Sequence, residues 1–258
     1  MRSFSPDSGA LWASTSSKYF PADASRLNLT AMAFPGLAER VADVRARIAA
    51  AAARGGHGQQ VTIVAVTKTH GPEAARAAYE VGLHDVGENK VQEALKKMAA
   101  VEVPVRWHLI GHLQRNKVKA LDQFALLHSL DSPRLADAVC EFGIARGRAM
   151  DVLLELNITG EASKGGYTLS EMLPEAERLA SLSGIRVRGV MTMASFSATE
   201  SQLHRTFAEA REAREDLVAA GHPAEELSMG MSNDYEIAVE EGATLVRIGT
   251  TLFGARAK

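Results

Sequence analysis

The chain is short of four things, and each shortage excludes something. It has one cysteine, Cys140, in 258 residues. No internal disulfide can form, so the fold rests on its core; a reducing compartment suits this composition, and the cytoplasm is the expected location. Cys140 lies in the helical pattern RLADAVCEFG, where packing explains it better than chemistry. No run approaches the roughly 18–20 consecutive apolar residues of a membrane span. Basic charge is not in excess: 29 Lys and Arg face 31 Asp and Glu, for a net charge of −2. Nucleic acid and anionic membrane are therefore not expected as partners. Tyrosine is scarce as well: Tyr19, Tyr79, Tyr167 and Tyr235 are all there is.

Hydrophobic residues make up 46% of the chain, enough for one sizeable core. Residues 1–31 do not share in it. They are Ser/Ala-rich, lack the continuous apolar block of a secretory signal, and contain too few Arg for a transit peptide. A poorly ordered extension is expected there, followed by a single domain over 32–258. That domain opens with PGLAERVADVRARIAAAA, where Leu37, Val41, Val44 and Ile48 fall on one helical face behind Pro35. From residue 61 apolar β-rich segments alternate with helical patterns. The segments lie at 61–67, 84–86, 105–110, 125–128, 151–157, 186–191, 226–229 and 244–248. Strands alternating with helices pair in parallel, and eight such units predict a closed (β/α)₈ barrel of the TIM type with a helix ahead of the first strand. The second, fourth and seventh strands are short and weakly signalled, so an open doubly wound sheet is the alternative.

The chemistry gathers where strands end. VTIVAVTKTH (61–70) is built for burial, yet it closes on Lys68. Strand carboxyl ends are where α/β proteins place their sites. Desolvation by apolar neighbours would make such an amine nucleophilic; a salt-bridged lysine is the ordinary alternative. The last strand, TLVRI, runs into Gly249, Thr250 and Thr251, and the strand before it runs through LSMGMSND into a helix, with Ser232 placed to cap it. Either motif alone reads as a turn or a cap. Together, on the last two strands of a barrel, they read as a phosphate cradle. Closure would bring Lys68 to the same mouth. An amine beside a phosphate cradle points to a phosphorylated aldehyde, with pyridoxal phosphate the leading candidate. Arg247 interrupts the apolar last strand. Facing the mouth, it can only donate to an unprotonated pyridine nitrogen; it could instead bridge a carboxylate such as Glu88.

The motifs AVTKT, GENKVQE, WHLIGHLQRNK, NITGEASKGG, RGVMTM, LSMGMSND and VRIGTTLFGAR follow one another over 35–258. In this order they resemble the pyridoxal phosphate homeostasis protein family, the single-domain relatives of fold-type III racemases. The resemblance implies the alanine-racemase-like barrel, Lys68 as the Schiff-base lysine and Arg247 at the pyridine nitrogen. It also implies Ser232, Gly249 and Thr250 at the phosphate, with Asn89, His108 and Met193 lining the cofactor. No catalytic residue and no metal ligand is assigned. His108 and His112 are four apart, but in a strand and its loop, which does not suit zinc. Lys164, in EASKGG, and the basic cluster QRNKVKA (114–120) read as solvated.

Three functions compete. A racemase needs acid–base groups on both faces of Cα; of the tyrosines, only Tyr167 falls on a mouth-side loop, so no second base is assured. A Schiff-base aldolase would leave Arg247 unexplained. A carrier that buffers pyridoxal phosphate and delivers it to apo-enzymes needs only Lys68, the cradle and an open mouth. It is the expected function, performed by a monomer.

Overall fold

Leu37, Val41, Val44 and Ile48 recur at helical spacing, and in the computed structural model they are the buried stripe of α1 (Leu37–Gly55). The structure describes residues 33–161 and 165–254. Eight strands follow: β1 (Thr62–Val66), β2 (Asp85–Glu88), β3 (Arg106–Leu109), β4 (Leu126–Leu130), β5 (Met150–Leu156), β6 (Ile185–Thr192), β7 (Glu226–Met231) and β8 (Leu245–Ile248). They pair in parallel in sequence order, and β8 closes on β1 with Val64 opposite Arg247. The open-sheet alternative is thereby excluded.

The intervening helices are α2 (Pro72–Glu80), α3 (Val91–Met98), α4 (Pro133–Ala145), α5 (Leu169–Ala180), α6 (Glu200–Ala219), α7 (Tyr235–Glu240) and α8 (Thr250–Phe253). The basic cluster at 114–120 falls in a 3₁₀-helix, Arg115–Gln123. Both α5 and α6 start with a capping box, Thr168 with Glu171 and Thr199 with Gln202. These side chains satisfy amides that the first helical turn leaves without partners.

Among the described residues, β8 is followed by the four residues of α8, too few to cover the strand. The leading helix supplies the missing cover: α1 packs on α7 and α8. Arg40 Nε donates to the Leu252 carbonyl at 2.7 Å, and Gln59 Nε2 to the Val239 carbonyl at 2.8 Å. Gly55 is required by this contact, because a Cβ there would lie 2.2 Å from the Glu240 carbonyl oxygen. Each large side chain of the stripe contributes up to ~1.5–3 kcal/mol by burial.

A large apolar layer lies between strands and helices, and a small one inside the barrel joins Val64, Leu126, Leu153, Met191 and Leu245. Above and beside this inner cluster the barrel is polar. That is why β2 is weakly signalled in the sequence: Asp85 is buried among polar partners, and Gly87 leaves space where a Cβ would sit 3.0 Å from Val64 and 3.1 Å from Ile110.

Candidate functional site at the barrel mouth

Thr67 ends the buried part of the first strand. Its amide donates to the Gly87 carbonyl, and its own carbonyl accepts from the buried Lys97 Nζ at 2.7 Å. The chain then turns sharply. His70 N–H closes on the Thr67 carbonyl at 3.1 Å, and Thr69 takes φ 71°, the one positive φ outside glycine among the described residues. Such a conformation costs of order 1–3 kcal/mol and persists only where its surroundings impose it. The turn throws Lys68 past the strand end, where it is exposed. The expectation that apolar neighbours desolvate Lys68 is therefore not met, since the buried run stops at Thr67, one residue before it. Its amine is presented to the mouth rather than buried under it.

A cavity of about 470 Å³ opens there, within the usual range for small-molecule sites. Lys68, Asn89, Met193, Ser232, Arg247, Gly249 and Thr250 all line it. Ser232 is not the helix cap expected of it: α7 begins at Tyr235 with Asp234 in the cap position, and the Asp234 carboxylate accepts the Met231 amide at 2.6 Å. Ser232 Oγ instead accepts the Thr251 amide at 3.3 Å, which joins the loop after β7 to the turn after β8. Gly230 makes that loop possible. It has φ 87°, and a Cβ there would meet Ala238 at 2.6 Å.

Arg247 is 4% exposed. It does not bridge to Glu88. Its Nη1 donates to Ser228 Oγ and its Nη2 to the Thr192 carbonyl at 2.9 Å. Burial pushes the guanidinium down to about 10, with Asp234 and Glu155 acting against the shift, so it is protonated at neutral pH.

His108, expected at the cofactor, is not among the cavity-lining residues. It sits inside the barrel, with Nε2 2.9 Å from Asp85 Oδ1 and Nδ1 2.9 Å from His128 Nε2. The strand register explains the displacement: His108 lies opposite Gly87, and the next inward-facing position of this segment, Ile110, is the one that reaches the cavity. His112 is elsewhere again, with Nδ1 2.6 Å from Asp131 Oδ2. The two histidines do not converge. Lys164 lies outside the described residues, as do residues 1–31.

Asp85, His128 and Ser228 escaped the sequence reading. His128 and Ser228 are buried polar residues in largely apolar strands, the same signal that singled out Arg247, whereas Asp85 opens β2, Asp-Val-Gly-Glu, which has no apolar run to interrupt. Wholly buried His128 is held well below the usual imidazole range, first by desolvation and then by His108 and Arg247. Desolvation pushes the Asp85 carboxyl up, but hydrogen bonds from His108 and Arg106 outweigh it and hold the group low. The signs define two windows. Unfolded His128 titrates near ~6.5, so the unfolded state takes up a proton that the folded state refuses, and stability falls as pH drops below that value. The slope for one proton is about 1.4 kcal/mol per pH unit. The contribution of Asp85 is lost only at lower pH, as its depressed folded value is passed. Urea unfolding at pH 7 and pH 5 checks this: His128→Gln is expected to flatten the fall, and an equal fall in both proteins would remove His128 from the account.

Three of the tyrosines are accounted for. The Tyr167 hydroxyl donates to Glu175 Oε1 at 3.0 Å, turned toward α5, and burial first, then Glu175, push it far above the usual phenol range. Tyr79 packs edge-on against His84, and Tyr235 is buried beneath the Arg47 guanidinium. None of the three lines the mouth cavity.

A closed barrel with a lysine, a hydroxyl-and-glycine cradle and a buried arginine at one mouth invites comparison with known proteins. Residues 40–257 match the family "Alanine racemase, N-terminal domain". The pyridoxal phosphate homeostasis protein of Aquifex aeolicus is 41% identical over 226 residues, spanning 84% of this chain and 97% of its own. This chain belongs to the pyridoxal phosphate homeostasis protein family. Its counterpart in Pseudomonas aeruginosa is 42% identical over 223 residues, covering 85% and 96%. PipY of Synechococcus elongatus, solved with PLP bound, superimposes with a TM-score of 0.74 at 35% identity, covering 84% of this chain and all of PipY. Among the described residues, no helix is long and apolar enough to cross a membrane.

Proposed function

We propose that this protein binds pyridoxal phosphate in the mouth cavity and holds it for intracellular homeostasis, buffering it or delivering it to apo-enzymes, rather than turning over an amino acid. The observation that carries this reading is the convergence of Lys68, Ser232, Gly249, Thr250 and Arg247 on one cavity. The chain fits the group. A Cβ at Gly249 would make only ordinary contacts with Val66, so the fold does not itself demand glycine there. What the missing side chain preserves is cavity space beside the Ser232 and Thr250 hydroxyls. Pyridoxal phosphate brings a reactive aldehyde and an electron-withdrawing ring. Lys68 supplies the amine to capture the aldehyde, Ser232 and Thr250 the phosphate donors, and Arg247 a donor to the pyridine nitrogen. Asn89 and Met193 form the walls.

A protonated arginine at that nitrogen leaves the ring a weak electron sink, which suits storage and handicaps racemisation. The orientation of Tyr79, Tyr167 and Tyr235 away from the cavity supports the same conclusion, because none of these three described tyrosines is placed as an opposing base. Buried Cys140 on α4 fits a reducing, cytoplasmic setting.

The test is reconstitution. Purified protein is incubated with pyridoxal phosphate, and the holo-protein is then offered single-enantiomer amino acids and, separately, an apo-enzyme that needs the cofactor. Transfer faster than free leakage is expected. Racemisation at ~1–10³ s⁻¹, rates typical of enzymes, would overturn the reading. Ser232→Ala is expected to weaken pyridoxal phosphate binding about ten-fold, the worth of one charge-assisted hydrogen bond, and to leave pyridoxal almost unaffected. Equal losses for the two ligands would count against a phosphate role.

A further inference from the structure

The barrel interior holds a continuous polar series from its N-terminal end to its mouth. Arg106, whose side chain is largely exposed, grips Asp85 with Nε on Oδ1 at 2.8 Å and Nη2 on Oδ2 at 2.6 Å. Asp85 Oδ1 meets His108 Nε2 at 2.9 Å, His108 Nδ1 meets His128 Nε2 at 2.9 Å, and His128 Nδ1 meets Ser228 Oγ at 2.8 Å. Ser228 Oγ accepts from Arg247 Nη1. Asp85, His108, His128, Ser228 and Arg247 are all buried.

The Arg247 end favours one set of donor and acceptor roles, and the Asp85 end fixes it. At the mouth, a guanidinium has no acceptor atom, so Ser228 Oγ must accept from it. Ser228 Oγ keeps a second lone pair, so it can donate to His128 Nδ1 or accept from it, and donating is the arrangement that pairs its own hydrogen. A neutral imidazole accepting at Nδ1 carries its proton on Nε2, which donates to His108 Nδ1. By the same rule His108 donates from Nε2 to Asp85. At the other end, an ionised Asp85 can only accept, which puts the His108 proton on Nε2 and sets the same tautomers in reverse order. The two ends agree, and every hydrogen has one acceptor. A doubly protonated His108 would reverse His128 and strand the buried Ser228 hydroxyl hydrogen, which is costly.

We propose that Asp85, His108, His128 and Ser228 are positioning residues, a one-way hydrogen-bond chain that fixes the Arg247 guanidinium as a donor facing the mouth. Ser228 pins one guanidinium nitrogen and the Thr192 carbonyl the other, so the hydrogens that remain are available to the cavity. This inference rests on the reading that the ring nitrogen of pyridoxal phosphate meets Arg247. Asp85 touches no ligand in this arrangement. Its negative charge sets the direction of every bond between it and Arg247.

Two measurements test the chain. In the protein without ligand, ¹⁵N-histidine NMR at neutral pH is expected to show His108 and His128 both protonated on Nε2 alone. An Nδ1-protonated form of either, or a doubly protonated His108, overturns the proposal. In Asp85→Asn the directing charge is gone, and the Nδ1-protonated tautomers are expected to appear at both histidines. The same variant should bind pyridoxal phosphate about ten-fold more weakly, while an analogue with carbon in place of the ring nitrogen binds both proteins alike. If Asp85→Asn weakens both ligands equally, or moves neither tautomers nor affinity, its role is merely structural and the proposal fails. If the variant does not fold, the wild-type tautomers decide alone. Should the wild-type protein bind no pyridoxal phosphate, the functional reading fails, and the tautomers still decide whether the chain exists.

Discussion

Glu88→Ala is expected to destabilise the protein by about 3–5 kcal/mol, the range for breaking one side of a buried ion pair. Glu88 is fully buried at the end of β2, and Lys97 on α3 is nearly so. Glu88 Oε1 accepts from both Lys97 Nζ and Thr67 Oγ. Removing the carboxylate leaves an ammonium group between strand and helix with only the Thr67 carbonyl to hold it. The cost is the stranded charge more than the lost bond, so the double variant Glu88→Leu with Lys97→Met should recover much of the loss. Urea denaturation of the three proteins measures it. A loss under about 1 kcal/mol in the single variant, the value of an exposed pair, would show that the site is wetter than its burial indicates. The effect reaches the mouth as well, because Thr67 is tied to Glu88 and directly precedes Lys68.

Lys68→Ala is expected to abolish covalent capture of pyridoxal phosphate. Wild-type protein incubated with the cofactor and reduced with borohydride should carry one pyridoxyl group per chain, mapping to the peptide that contains Lys68. The variant should carry none and show no visible absorbance band. No second cavity-lining lysine stands in among the described residues. Lys97 is committed to Glu88 and Thr67 behind the strand. Stoichiometric labelling of the variant, at Lys164 or elsewhere, would show that Lys68 is not the acceptor. Because Lys68 is exposed on a turn, the substitution should leave stability nearly unchanged, which separates a loss of capture from a loss of fold. Thr69 is different: its φ of 71° shows that the turn is held against its intrinsic preference, so the amine is placed by the backbone rather than by its own packing.

The sequence by itself determined the fold and pointed to several residues that line the mouth. Eight apolar segments spaced by helical patterns leave few arrangements other than a parallel barrel, because each segment must bury both faces and each helix one stripe. Lys68, Ser232, Gly249 and Arg247 were legible for a local reason. Each breaks an apolar strand or opens a turn at a strand's carboxyl end, where a barrel exposes its loops. What the tertiary structure alone decided depends on neighbours far apart in the chain. Ser232 reads as a helix cap until the turn after β8 is brought beside it and supplies the Thr251 amide. Lys68 reads as a buried amine until the turn through Thr69 carries it out. His108 reads as a ligand contact until the strand register lowers it to the level of Gly87 and hands the cavity to Ile110. Asp85, His128 and Ser228 come from three strands and look unrelated one at a time. Their meaning lies in hydrogen bonds that exist only once β2, β3, β4, β7 and β8 close around a common axis. Short-range pattern reports which face of an element is apolar; it carries no information about which polar groups will meet inside, since that is fixed by stagger and closure.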